Sequence, residues 1–331
     1  MTKGTKAFRI IISILLAITM IISAFFSLVF CAYFAKDPFG VYVNGISVNR
    51  DNNDDILGDG TVYYDETNNI LTLNNATIES ETTVVYSKID LHIQLIGENK
   101  IICTNEKSAA AIYAGNYNLN KDLAIVGDGS LTIEIPNASE EATGISAANL
   151  TVAADLTVIT PDCEKIVNGI VCASSLMVVN KATINVNNGA STKYSSAVRV
   201  RGNALFEEGT TLKSSTSPNS TEICKGFTVS GDLFMGKSTS IEVSIDDTTT
   251  EQGECIRVSG LMEVGIGSTV TASAKSASAI ECLGTIEVNK GASISAISDK
   301  KADIFCSGAL LNYGAVINAE IDALGGINNR D

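Results

Sequence analysis

The sequence predicts an all-β fold: a right-handed parallel β-helix of three short strands per coil and about nine coils, behind an N-terminal transmembrane helix. Three observations predict it. Apolar residues return in a column about every 27 positions, short phrases alternate apolar and polar, and the composition is rich in Val, Ile, Thr and Ser, with 4 prolines and no tryptophan.

The column comes first, because a repeat fixes the architecture before any motif does. Phrases beginning at Ile112, Ile145, Ile170, Val198, Phe227, Ile256, Ile280 and Ile304 are spaced by 33, 25, 28, 29, 29, 24 and 24 residues. Two positions after each stands a smaller apolar residue: Ala114, Ala147, Cys172, Val200, Val229, Val258, Cys282 or Cys306. Residues i and i+2 of a strand share a face, so both columns point into one core. Further strand phrases follow in most repeats, such as Leu150-Thr151-Val152 and Leu156-Thr157-Val158, Ile184-Asn185-Val186, Met262-Glu263-Val264 and Val270-Thr271-Ala272, and Ile286-Glu287-Val288 and Ile294-Ser295-Ala296.

Three such strands, separated by Gly or Asn, close one triangular coil. Stacked coils then pair like strand with like, about 4.8 Å apart. A single coil buries its inward column only against its neighbours, so the core is the stack. Residues 81–331 are read as this β-helix, with an early coil marked by Leu91-His92-Ile93-Gln94-Leu95, and residues 36–80 as a linker and N-terminal cap.

Residues 10–35 carry no charge and are long enough to cross the roughly 30 Å hydrocarbon core of a bilayer. Lys3, Lys6 and Arg9 lie in the basic tail 1–9, which the positive-inside rule leaves in the cytoplasm with the body outside. A cut after Ala35 would place Tyr33 where a signal peptide needs a small residue. The segment is therefore read as an uncleaved single-pass anchor in the cell membrane.

The net charge is −14, and the basic tail holds three of the cations, so the body is more acidic still. Such a body repels phosphate backbones and excludes nucleic acid as a partner. Of eight cysteines, Cys31 lies in the span; no CxxC pair exists to suggest zinc. Cys282 and Cys306 fall on adjacent coils within disulfide reach, and are read as buried free thiols. His92, the single histidine, alternates outward in Leu91-His92-Ile93. GxSxG, HExxH, P-loop and Rossmann signatures are absent.

Asp51, Asn53 and Asp55 have the spacing of a calcium loop, with Asp59 following. Ile56 stands where an EF-hand turn needs Gly, and Val62 where it needs a bidentate Glu. The stretch is read as a polar turn entering the strand Thr61–Tyr64. A weak, irregular Ca²⁺ site at Asp51, Asn53, Asp55 and Asp59 is the candidate metal site, and no other cofactor is expected.

The run Val41-Tyr42-Val43-Asn44-Gly45, the run from Gly58-Asp59-Gly60-Thr61-Val62-Tyr63-Tyr64 to Ile78, and Asp90–Ile101 together resemble surface proteins of anaerobic Gram-positive bacteria. That group is labelled as carrying carbohydrate-binding domains, and some of its members are described as β-helical. The resemblance spans residues 41–101; the later coils match only in their loose repeat. It implies a β-helix on a bacterial cell surface that binds carbohydrate.

Sugar faces pack on flat aromatic rings, and with no Trp the available rings are Tyr63, Tyr64, Tyr113 and Tyr117. Met177, Leu205 and Phe234 fall outward on consecutive coils and make an apolar stripe, a second candidate contact. The reading favoured is a non-catalytic carbohydrate-binding or surface-scaffold module whose partner is a polysaccharide or cell-wall glycan. A Ca²⁺-dependent polysaccharide lyase or hydrolase is the enzymatic alternative. It needs an acidic cluster with a base, or carboxylates roughly 5–9.5 Å apart. Arg199 and Arg257 project outward two coils apart with no acidic ladder read beside them, so no catalytic residue is assigned. A self-associating structural protein is the third reading, since a β-helix has open strand edges at an uncapped end.

Overall fold

A computed structural model describes residues 18–27, 39–116, 119–218, 220–246 and 252–330. The chain from Ile70 onward winds as a parallel β-solenoid, each turn giving one strand to each of three sheets. Eight turns, from Leu91 to Cys306, have a parallel neighbour on both sides in all three sheets. One further turn precedes them and one follows.

The columns read from the sequence are the register of the first sheet. Ile112, Ile145, Ile170, Val198, Phe227, Ile256, Ile280 and Ile304 are successive cross-strand partners, and every one is at most 1% exposed. The strand-like phrases lie in the other two sheets, where Leu150–Val152 pairs with Leu176–Val178 and Ile184 with Leu156 and Leu212. Inward apolar side chains from Val41 to Leu310 form one continuous cluster. Its largest filler pair is Phe206 against Phe227, edge to face at 5.9 Å.

The corner between the third and first sheets is narrow, and the sequence meets it with small residues. A Cβ on Gly169 would sit 2.4 Å from Val186 Cγ1 and 2.5 Å from the Ala197 carbonyl. Gly144 and Gly226 meet the same obstruction from Val158 and Val243.

Parallel stacking begins at Ile70–Asn74, earlier than residue 81, so the cap is shorter than the sequence reading made it. Val41–Val43 turns back on Ile46–Ser47 through Asn44 and Gly45, whose φ angles of 51° and 73° suit a two-residue hairpin. The same strand pairs antiparallel with Val85–Ser87, and Val62–Asp65 pairs antiparallel with Ile70–Asn74. Val41, Val43, Val48, Ile56 and Val62 are thereby buried and close the first turn. At the other end Val316, Leu324 and Ile327 are 62%, 70% and 50% exposed.

The transmembrane expectation is not supported. Residues 18–27 form a helix with exposed apolar side chains, and no helix among the described residues is long and apolar enough to cross a membrane. The basic tail, Cys31 and the rest of 10–35 lie outside the described residues.

Candidate functional site

The first sheet places a tyrosine at the outward middle position of three neighbouring strands. Val41-Tyr42-Val43, Val85-Tyr86-Ser87 and Ile112-Tyr113-Ala114 each bury their flanking residues and turn the ring to the surface. Register puts Tyr42 beside Tyr86 and Tyr86 beside Tyr113. The rings stack with centroids 5.5 Å and 5.9 Å apart and interplanar angles of 26° and 29°. Lys88 Nζ donates to the Tyr42 hydroxyl at 2.9 Å and lies 4.9 Å from that ring's centre.

Beside this ladder is a cleft of about 470 Å³ lined by Tyr42, Gly45, Thr82, Thr83, Tyr86 and Tyr113. Its wall combines aromatic surface with hydroxyl groups. Beyond Tyr113 the next outward residue is Ser146, whose side chain is short.

Of the three tyrosines read from the sequence that are described, Tyr113 alone belongs to this cleft. Tyr63 is 36% exposed and lines a separate, acidic trough with Asn53, Asp54, Asp65 and Glu66. Tyr64 is a core residue, 3% exposed, with its ring 5.4 Å from Phe39 and its hydroxyl donating to Asn69 Oδ1 at 3.0 Å. Burial, and then the charges of Asp65 and Glu66, push its phenol up to about 12. Tyr117 lies outside the described residues. Sequence reasoning missed Tyr42 and Tyr86; the repeated Val-Tyr-Val, Val-Tyr-Ser and Ile-Tyr-Ala phrases were the available signal.

The acidic turn spends its oxygens on its own backbone. Asp55 Oδ1 accepts the N–H groups of Gly58, Asp59 and Gly60 at 2.9, 3.1 and 3.0 Å. Asp59 Oδ1 accepts the Thr61 hydroxyl and N–H, which hold its carboxyl below the usual range. The Asn53 carbonyl accepts from Tyr64, and Ile56 is 4% exposed in the core of the cap. Asp51 is exposed. Among the described residues no group of three or more His, Cys, Asp or Glu side chains is arranged to hold a metal.

Met177, Leu205 and Phe234 are successive register partners on the second sheet, the first two 37% exposed and Phe234 half-buried. The stripe is real and short, bounded by Thr151 and Glu263. His92 is exposed, as its alternation required. The seven described cysteines are buried free thiols. Cys282 and Cys306 are register partners, and the hydrogen bond between their sulfurs, together with burial, pushes the Cys282 thiol up.

Farther along the first sheet a charged cluster corrects the sequence reading that no acids accompany the two arginines. Lys225 and Glu254 are register partners with Nζ 2.6 Å from Oε2. Arg257 also bonds Glu254, and its partner on the next turn is Glu281, 4.0 Å from Nε. Arg199 stands apart from these pairs: its Nη1 donates to the Tyr194 hydroxyl at 3.2 Å, and the guanidinium carbon is 5.4 Å from that ring's centre. Glu254 escaped sequence analysis because it lies three residues before Arg257, in the neighbouring outward column.

Fold and surface together define a class: a capped parallel β-solenoid with an aromatic cleft on one flank. No protein-family model matches the chain, and no curated protein or solved structure matches it either.

Proposed function

We propose that this chain is a non-catalytic carbohydrate-binding module: a right-handed β-helix carried outside the cell and tethered to the membrane of a bacterium through residues 10–35. The observation that carries the reading is the cleft lined by Tyr42, Tyr86 and Tyr113 with Thr82 and Thr83. Aromatic surface packs on the C–H faces of a sugar ring, and neighbouring hydroxyls exchange hydrogen bonds with its oxygens. The resemblance of residues 41–101 to carbohydrate-binding surface proteins covers the segments that supply Tyr42, Gly45, Thr82, Thr83 and Tyr86 to this cleft.

Glu254 and Glu281 line one pocket, but both are engaged by cations, Glu254 by Lys225 and Arg257 and Glu281 by Arg257, so the pair favours binding over acid–base catalysis. A polysaccharide or cell-wall glycan is accordingly the proposed partner, held without bond cleavage.

The test is a glycan array on residues 37–331, followed by calorimetry on any hit with Tyr113→Ala and, as a control on the opposite flank, Leu205→Ala. Losing one stacked ring is expected to weaken binding by about 0.5–1.5 kcal/mol, roughly threefold to tenfold. An array without hits, or a hit indifferent to Tyr113→Ala, overturns the proposal.

A further inference from the structure

We infer that the ligand of the tyrosine cleft is an acidic glycan, with an anionic group seated at Arg199. The inference rests on the carbohydrate reading above and adds the chemical class of the ligand.

The outward column of the first sheet runs Tyr86, Tyr113, Ser146, Val171, Arg199, Thr228 along the solenoid axis, each a register partner of the next. Arg199 is three turns beyond Tyr113, about 14 Å at the usual strand spacing. The two side chains between them are short, so the column forms a track from the Tyr113 ring to the guanidinium. An extended oligosaccharide that packs one ring at Tyr113 and follows this track brings a later residue to Arg199.

Arg199 differs from Lys225 and Arg257, the other cations within strands of the same sheet, in having no carboxylate at ion-pair distance among the described residues. Lys225 is neutralised by Glu254, Arg257 by Glu254 and Glu281, and Lys165 by Glu140. The only polar partner of Arg199 among the described residues is the neutral Tyr194 hydroxyl. Contact with the Tyr194 ring holds the guanidinium in place, while one of its five N–H donors is used in that bond. The Tyr194 oxygen accepts from Arg199, which leaves its own proton to give. A half-buried, positioned guanidinium next to a hydroxyl donor is the arrangement that takes a carboxylate or sulfate by paired, charge-assisted hydrogen bonds. On a chain of net charge −14 an uncompensated cation is a place where an anion is attracted.

The experiment is calorimetry on the full chain with three probes: an oligogalacturonate, its fully methyl-esterified form, and a sulfated galactan oligosaccharide. The acid is expected to bind roughly tenfold more tightly than the ester, with the advantage shrinking as salt is raised. Arg199→Gln should erase that advantage, while Arg199→Lys retains part of it. Equal thermal midpoints for the variants establish that the fold is intact. Tight binding of the sulfated probe alone, lost in Arg199→Gln, assigns the anion to sulfate rather than carboxylate. If the ester binds, depends on Tyr113, and the charged probes bind no better, the acidic class is wrong and the carbohydrate reading stands. If no probe binds and the array is also empty, both fail together.

Discussion

Phe227 and Gly169 show what a single position means in this molecule. Phe227 carries the largest side chain of the inward column and fills the space that Val198 and Ile256 leave on either side. Gly169 is held to glycine by the opposite constraint, since Val186 and the Ala197 carbonyl already occupy the place of a Cβ. Gly169→Val is expected to cost about 3 kcal/mol through overpacking against atoms that cannot yield, read as a lower denaturant midpoint at unchanged slope. Legibility at this scale was uneven. The inward columns were readable because burial demands an apolar residue at every turn. Outward residues obey no such demand, which is why Tyr42 and Tyr86 went unnoticed beside Tyr113, and why Glu254 was not linked to Arg257. Tyr64 was misjudged for a related reason: adjacent residues of a strand face opposite ways, and nothing local says which of Tyr63 and Tyr64 the cap covers.

Among the elements, the cap has its turns organised by carboxylates. The turn from Asp55 to Thr61 is organised by side-chain oxygens accepting backbone N–H groups, and the turn from Asp65 to Asn68 repeats the device. The Thr61 hydroxyl and N–H hold Asp59 below its ordinary value of 3.8, and the Asn68 side chain with the Thr67 N–H does the same for Asp65. A carboxyl depressed in the folded state contributes stability that is present above its unfolded value and lost as pH falls through the folded one. The thermal midpoint is therefore expected to fall as pH drops below 3.8, with a smaller fall in Asp59→Asn, whose amide oxygen still accepts from Thr61. Equal acid sensitivity of the variant and the parent would remove these turns from the account. The same hydrogen bonds show that the turn is organised by its own backbone, with one oxygen of Asp55 and one of Asp59 taken by N–H and hydroxyl donors.

At the scale of the whole molecule, the solenoid is a stack of nearest-neighbour interfaces with one continuous core. Val198 to Phe227 is one full turn, so removing residues 198–226 joins Ala197 to Phe227 and sets Phe227 beside Ile170 in the column. The shortened chain is expected to fold, with unchanged β-type circular dichroism and a rod about 4.8 Å shorter by small-angle scattering. Removal of half that length should abolish folding, since it throws inward residues of every later strand onto the wrong sheet. The two ends of the stack are unlike. The cap buries Val41, Val43 and Val62 completely, whereas Ile317, Ile321 and Ala323 at the far end are covered from one side and remain part-exposed.

The sequence by itself determined the all-β architecture, the repeat, the inward columns and the outward stripe of Met177, Leu205 and Phe234. Each follows from burial and from the two-residue period of a strand, which are local rules written into every repeat. Only the tertiary structure decided which outward residues meet: the tyrosine ladder joins a cap strand to two turns of the solenoid, and the Lys225, Glu254, Arg257 and Glu281 pairs join three successive turns. Such cross-turn neighbours lie 24 to 44 residues apart, as Arg257 and Glu281 or Tyr42 and Tyr86 do, and their alignment depends on the length of every intervening loop. Water tolerates almost any side chain on an outer face, so nothing in the local pattern records that alignment.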